Sequence, residues 1–133
     1  MTFKDIKGRK KVIKTAWKYR IDWEKKSRSK FQKRVKDWLR NYWESDMVYE
    51  EFPVAGTRMT LDFYNASKKI AIEVQGEAHF QYSSFFHNGS RQKFLGQMKR
   101  DMGKVEYCEI NNIHLIEIYP DTELTEEIFS YES

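Results

Sequence analysis

Leu61-Asp62-Phe63-Tyr64-Asn65-Ala66-Ser67-Lys68-Lys69-Ile70-Ala71-Ile72-Glu73-Val74-Gln75-Gly76 reads as two short strands joined by a polar turn. The strands run from Arg58 to Tyr64 and from Lys69 to Gln75, and Asn65 to Lys68 supply turn-forming residue types between them. Side chains in a strand alternate faces, so Glu73 and Gln75 point one way while Val74 points into the core. Hairpin pairing then brings Asp62 alongside Glu73. An acid between Leu61 and Phe63, or directly after Ile70-Ala71-Ile72, is costly to bury unless paired or metal-bound. Two carboxylates converging from neighbouring strands form a hard oxygen site suited to Mg²⁺, which takes one or two carboxylates and keeps several waters. Such a centre is suited to phosphodiester hydrolysis.

Outward from this hairpin the chain alternates helical and strand patterns. Phe31, Val35, Trp38, Leu39 and Tyr42 recur at helical spacing, and Ser29 with Gln32 three residues on forms a capping-box pattern. Met47 to Phe52 reads as a first strand and Pro53 to Gly56 as a turn. Gly76 ends the third strand, and residues 77–90, polar and aromatic without a period, read as a loop. Gln92 to Ile110 is predicted to be helical, with Phe94, Leu95, Met98, Met102, Val105 and Cys108 near one stripe. Asn111-Asn112 ends it, because Asn tolerates the left-handed conformation of helix C-termini. Ile113 to Tyr119 is a strand stopped by Pro120, and Asp121 is placed to cap a last short helix through Phe129. The expected fold class is α/β, or α+β with a mixed sheet, in the order helix-β-β-β-α-β with helices flanking the sheet.

A chain of 133 residues fits one domain. It has no signal-peptide pattern and no apolar run long enough to span a bilayer. The single cysteine, Cys108, permits no internal disulfide, fits a reducing and hence cytoplasmic setting, and reads as a buried structural thiol. The net charge of +4 conceals a segregation: residues 1–40 carry sixteen Lys and Arg against four Asp and Glu, and the rest carries eight against sixteen. That split is expected of a polyanion binder in which one segment takes the electrostatic load. Residues 1–28 read as a basic DNA-contacting arm, partly helical from about Lys10 to Lys25, ahead of a core at 29–133. Lys10, Lys11, Lys14, Lys18 and Arg20 are its candidate phosphate contacts, with Trp17, Tyr19 and Trp23 interleaved. Charge scattered around most of the segment's circumference argues against a membrane-surface helix.

Asp62, then Glu73-x-Gln75, resembles the signature of PD-(D/E)xK nucleases, with Gln75 where the family usually has Lys and no Pro before the acid. Glu73-Val74-Gln75-Gly76-Glu77-Ala78-His79, Lys99-Arg100-Asp101-Met102-Gly103-Lys104, Tyr107-Cys108 and Asn112-Ile113 follow in an order similar to phage homing endonucleases, junction resolvases and very-short-patch-repair nucleases. The resemblance covers about residues 29–130. It implies a restriction-endonuclease-like core whose last strand joins the sheet beside the third, and a Mg²⁺-dependent DNA endonuclease in which Mn²⁺ substitutes. It also implies metal ligation by Asp62, Glu73 and the Val74 carbonyl, a supporting position for Gln32, a homodimer, and a phage-encoded protein.

The remaining candidates come from their residue types. Gln75 cannot be a general base but can hydrogen-bond a water or a phosphate. His79 titrates near neutrality and suits a general base or a partner for the leaving oxygen. Arg100 and Lys104 share a helix face and, with Arg91, are candidate phosphate grips. Glu50 and Glu51 are within reach of the site from the first strand, although strand-edge acids are usually exposed. Two rival readings stay open: a monomeric mismatch nickase, and a catalytically inactive nucleic-acid-binding module with the same fold. An RNA substrate is also open.

Overall fold

Residues 1–76 and 102–130 are described by the structure, a computed structural model. A small hairpin, β1 (Thr2–Lys4) and β2 (Lys10–Val12), precedes helix α1 (Lys30–Trp43). Strands β3 (Val48–Pro53), β4 (Thr60–Asn65) and β5 (Ile70–Val74) follow, then helix α2 over 102–110 and strand β6 (His114–Ile118). The main sheet has the order β3-β4-β5-β6. Its first three strands are antiparallel, and β6 runs parallel to β5 with Ile70 opposite His114 and Val74 opposite Ile118. This is the mixed α/β sheet expected, with the last strand beside the third.

Alternation along β5 explains how both faces are covered. Ile70 and Ile72 pack with Val35, Leu39 and Trp43 of α1, together with Val48, Phe63 and Ile118. Ala71 faces the other way, into a cluster of Phe3, Tyr49, Phe52, Leu61, Tyr64, Tyr107, Cys108 and Ile113. Cys108 is buried, and burial pushes its thiol up to about 12, which fits a structural role rather than a nucleophile.

The left-handed backbone of Glu51 (φ 53°) breaks the regularity of β3. Glu50 pairs with Phe63 and Phe52 with Leu61, leaving Glu51 opposite Asp62 in the register. Strict alternation would place Glu50 and Phe52 on one face. Instead Glu50 reaches α1 through Gln32 and Lys36, while the Phe52 ring lies 4.8 Å from Tyr49 and 5.4 Å from Tyr64. A left-handed non-glycine residue costs about 1–3 kcal/mol. The bonds that Glu51 makes to Gln32 and Thr60 (both 3.0 Å), and its ion pair with Arg28, offset that cost.

Several expectations are corrected. The N-terminal segment is not helical from Lys10 to Lys25; it forms the β1–β2 hairpin, a short 3-10 helix at Ala16–Tyr19 and turns. Asp5 closes the hairpin by accepting the N–H of Lys7 (2.9 Å) and Arg9 (2.8 Å), and Gly8 supplies the positive φ of 81°. Nor is the segment a loose arm, because Phe3 is buried with its ring 5.8 to 6.0 Å from Phe52, Tyr64 and Tyr107.

The capping box on α1 is half formed: Ser29 Oγ accepts the Gln32 N–H at 3.1 Å, but the Gln32 side chain turns to Glu50 and Glu51 instead of back to Ser29. In α2, Met102 and Val105 are exposed, and the buried residues are Tyr107 and Cys108. Asn112 has the left-handed φ of 56° expected at the helix end. Among the described residues after β6, Glu126–Phe129 is the helical part, a 3-10 turn preceded by Thr125 rather than capped by Asp121. Phe129 stacks on Trp38 at 5.1 Å and so covers the outer side of α1.

Candidate metal centre and basic cavity

The β4–β5 ladder pairs Phe63 with Ile72, and one step further out the register sets Asp62 across from Glu73. At that end side chains replace the ladder. Asp62 Oδ2 accepts the Val74 N–H at 2.7 Å, and Glu73 Oε2 lies 3.4 Å from the Asp62 nitrogen. Both carboxylates are deeply buried, Asp62 7% and Glu73 4% exposed. Burial and the neighbouring Asp62 carboxylate push the Glu73 carboxyl up to about 8, outweighing the opposite pull of Lys104.

Lys104 supplies the cation at this site. Its Nζ lies 2.6 Å from Glu73 Oε1 and its side chain is largely enclosed. Cys108, one turn on along α2, is buried against the sheet, so the i, i+4 relation turns Lys104 the same way. Lys104, expected from its helix face to join Arg100 in gripping phosphate, has its ammonium against Glu73. Glu73 Oε1 still lacks a hydrogen bond of good geometry among the described residues.

These groups lie in a cavity of about 600 Å³. Asp62, Glu73, Val74, Gln75 and Gly76 line it from the sheet, Arg28 to Gln32 and Arg34 from the start of α1, and Lys104 and Pro120 from the remaining sides. Gln75 is buried, and its N–H donates to the Ile118 carbonyl at 2.8 Å, which fixes the strand end. The floor is therefore acidic and the rim basic, with Arg28, Lys30 and Arg34 joined by the positive end of the α1 dipole.

The pair fits a hard divalent cation. A buried, incompletely bonded carboxylate oxygen beside a second buried carboxyl group is a site that such an ion relieves, displacing the proton that Glu73 otherwise keeps. No group of three or more His, Cys, Asp or Glu side chains converges among the described residues. Mg²⁺ does not require one, since waters and substrate phosphate complete its shell.

The other expected site residues separate. Gln32 lines the cavity, yet its amide serves Glu50 and Glu51 (both 3.0 Å) rather than the two acids. Lys18 and Arg20 line a second cleft beside Arg28, whereas Lys10 lies near Ile110 to Asn112, and Lys11 and Lys14 are exposed lining neither cavity. His79, Arg91 and Arg100 lie outside the described residues. Sequence reasoning missed Arg28, which lines both spaces, and Lys36, which is wholly buried on α1. Lys36 could have been noticed, because it shares helical spacing with the buried Val35, Leu39 and Trp43.

Comparison with known proteins finds viral relatives. The chain is 44% identical over 66 residues to the uncharacterized protein 094L of Frog virus 3 (isolate Goorha), covering 50% of this chain and 43% of that protein. It is 29% identical over 66 residues to the uncharacterized protein 033L of Invertebrate iridescent virus 3, covering 50% and 34%. It is 32% identical over 60 residues to the uncharacterized protein 307L of Invertebrate iridescent virus 6, covering 45% and 30%. The chain thus matches less than half the length of each of these relatives. No family model matches it, and no solved structure matches it significantly. Among the described residues no helix is long and apolar enough to cross a membrane.

Proposed function

We propose that this chain is a Mg²⁺-dependent DNA endonuclease with a restriction-endonuclease-like core of the PD-(D/E)xK type. The observation that carries the reading is the meeting of two buried acids, Asp62 and Glu73, from adjacent strand ends on the floor of a cation-rimmed cavity. Bound there, Mg²⁺ supplies Lewis-acid stabilisation of charge on the phosphoryl oxygens and lowers the pKa of the attacking water.

The chain's own residues do the rest. Asp62 and Glu73 bind the ion, and the Val74 segment, fixed by its N–H bond to Asp62, sits beside them. Lys104 favours the ionised form of Glu73 and offsets part of its repulsion with Asp62. The Gln75 amide is placed to hold a water or a phosphate oxygen, and Arg28, Lys30 and Arg34 draw the backbone in. Water adds to phosphorus, the P–O3′ bond breaks, and the 3′ oxygen leaves with a proton. Cutting both strands with one site per chain calls for a homodimer or for two visits by the same copy; a monomer visiting once would nick.

The alternative of an inactive module gains weight from Gln75 standing where the resembled nucleases usually have Lys. Lys104 beside Glu73 removes much of that weight. Supercoiled plasmid, a branched junction and a mismatched duplex, each incubated with Mg²⁺, Mn²⁺ or chelator, test the reading. Expected is cleavage of at least one substrate with either ion and none with chelator. Intact substrates under every condition would leave only a binding protein.

A further inference from the structure

Beside the two-acid cavity lies a second cleft, of about 450 Å³, lined by Lys18, Arg20, Lys25, Lys26 and Arg28. We infer that this cleft seats the phosphate backbone of duplex DNA and leads it into the cavity, so that the bound strand runs over residues 18–28 and not over the β1–β2 hairpin. The inference rests on the nuclease reading for its ligand and adds the path that ligand takes.

Charge compensation selects this surface. The cleft also contains Asp22, Glu50 and Glu51, but each is already engaged. Asp22 accepts the Glu24 N–H at 3.1 Å, Glu50 pairs with Lys36 at 2.8 Å, and Glu51 pairs with Arg28. Lys18, Arg20, Lys25 and Lys26 are exposed and make no salt bridge among the described residues. These four cations outnumber the one lining acid without a cationic partner, Asp22, and the excess positive charge around one concavity creates a field that a polyanion relieves by releasing its counterions.

The cleft is also held rigidly. Arg20 forms an antiparallel bridge with Tyr49, and the Ile21 N–H donates to the Val48 carbonyl at 3.0 Å. Two lysines of α1 fasten the rest of the segment from beneath: Lys36 Nζ donates to the Lys25 carbonyl and Lys33 Nζ to the Trp23 carbonyl, both at 2.9 Å. Cations carried on an ordered backbone lose less entropy when they bind than cations on a free tail. Continuity with the cavity comes from Arg28, which lines both spaces. A phosphate arriving beside Arg28 competes with Glu51 for the guanidinium.

The hairpin lysines point elsewhere. Lys10 lines a space with Ile110, Asn111 and Asn112, at the far end of α2 from Lys104. Seven residues of helix separate Lys104 from Asn111, roughly 10 Å at 1.5 Å per residue.

The test is binding of a fluorescently labelled 20-base-pair duplex, followed by anisotropy in chelator between 50 and 200 mM KCl. Lys18→Ala/Arg20→Ala and Lys25→Ala/Lys26→Ala are compared with Lys10→Ala/Lys11→Ala, all at exposed positions and all checked by thermal melting. Each cleft pair is expected to weaken binding tenfold or more and to lower the log–log salt slope by about two, near 0.9 per lost phosphate contact. The hairpin pair is expected to stay within twofold of the wild type. Cleft pairs that bind like the wild type, a loss confined to the hairpin pair, or a preference for single-stranded RNA of equal length would each overturn the inference. Cleavage of the same duplex in Mg²⁺ is scored separately. Cutting with cleft-independent binding sinks the path alone, and cleft-dependent binding without cutting sinks the nuclease reading alone.

Discussion

Asp62→Ala is expected to abolish the proposed Mg²⁺-dependent cleavage, with the rate falling by at least a thousandfold, about 4 kcal/mol of barrier, while duplex binding is expected to stay within about twofold. The carboxylate removed is one of the two proposed to hold the ion, and a single remaining acid binds Mg²⁺ weakly in competition with water. The basic rim of Arg28, Lys30 and Arg34 is untouched, and loss of a negative charge from the floor does not weaken a polyanion's approach. Asp62 Oδ2 also accepts the Val74 N–H, so the alanine leaves that donor unsatisfied at a cost of about 1–3 kcal/mol. Asp62→Asn is the companion variant, because its amide oxygen keeps an acceptor there while discarding the charge. Both variants are compared by plasmid cleavage under single-turnover conditions. Wild-type rates in both would exclude Asp62 from the chemistry.

Lys36→Ala lowers stability by about 3–5 kcal/mol, the penalty for stranding one partner of a buried ion pair. The Lys36 side chain is fully buried and Glu50 is 14% exposed. Its Nζ donates to Glu50 Oε1 at 2.8 Å and to the Lys25 carbonyl at 2.9 Å. Removing it leaves Glu50, among the described residues, with the uncharged Ser27 (2.6 Å) and Gln32 (3.0 Å) donors, and frees the segment that carries Lys25 and Lys26. Urea denaturation should show the midpoint falling without a change in slope. The double variant Lys36→Met/Glu50→Gln should recover most of the loss, because replacing a buried pair together spares the uncompensated charge. A single variant as stable as the wild type would mean that Glu50 finds another counter-charge.

What could be read from sequence was whatever apolar spacing or turn chemistry reports. The β4–β5 hairpin, the helix over Lys30–Trp43 and the left-handed Asn112 all followed from local pattern. The N-terminal third did not, because its strands are three residues long and only Phe3 of β1 turns inward. A charge-rich stretch with one inward anchor carries no period to detect. Its aromatics share no face: Tyr19 packs against Phe52, Trp23 joins the cluster on the α1 side, and Trp17 is left exposed.

The site was legible in its acids and illegible in its cations. Asp62 and Glu73 stand out because acids interrupt apolar strands, whereas Lys104 and Lys36 look like ordinary helix-surface lysines until their partners are placed. Those partners, Glu73 and Glu50, are distant in sequence and arrive only through the fold. The left-handed Glu51 is another such case, held by Arg28 and Gln32 from the start of α1 and by Thr60 from β4.

The most direct measurement is a calorimetric titration of Mg²⁺ into the metal-free protein at pH 7, repeated in two buffers of different ionisation enthalpy. Glu73, with its carboxyl raised to about 8, holds its proton at that pH until an ion displaces it. One ion should therefore bind per chain with release of close to one proton, the release fading as the pH is taken well above 8. Asp62→Ala should lose this binding. Absence of any Mg²⁺ uptake, or uptake unaltered by Asp62→Ala and free of proton release, would contradict a divalent ion shared by Asp62 and Glu73.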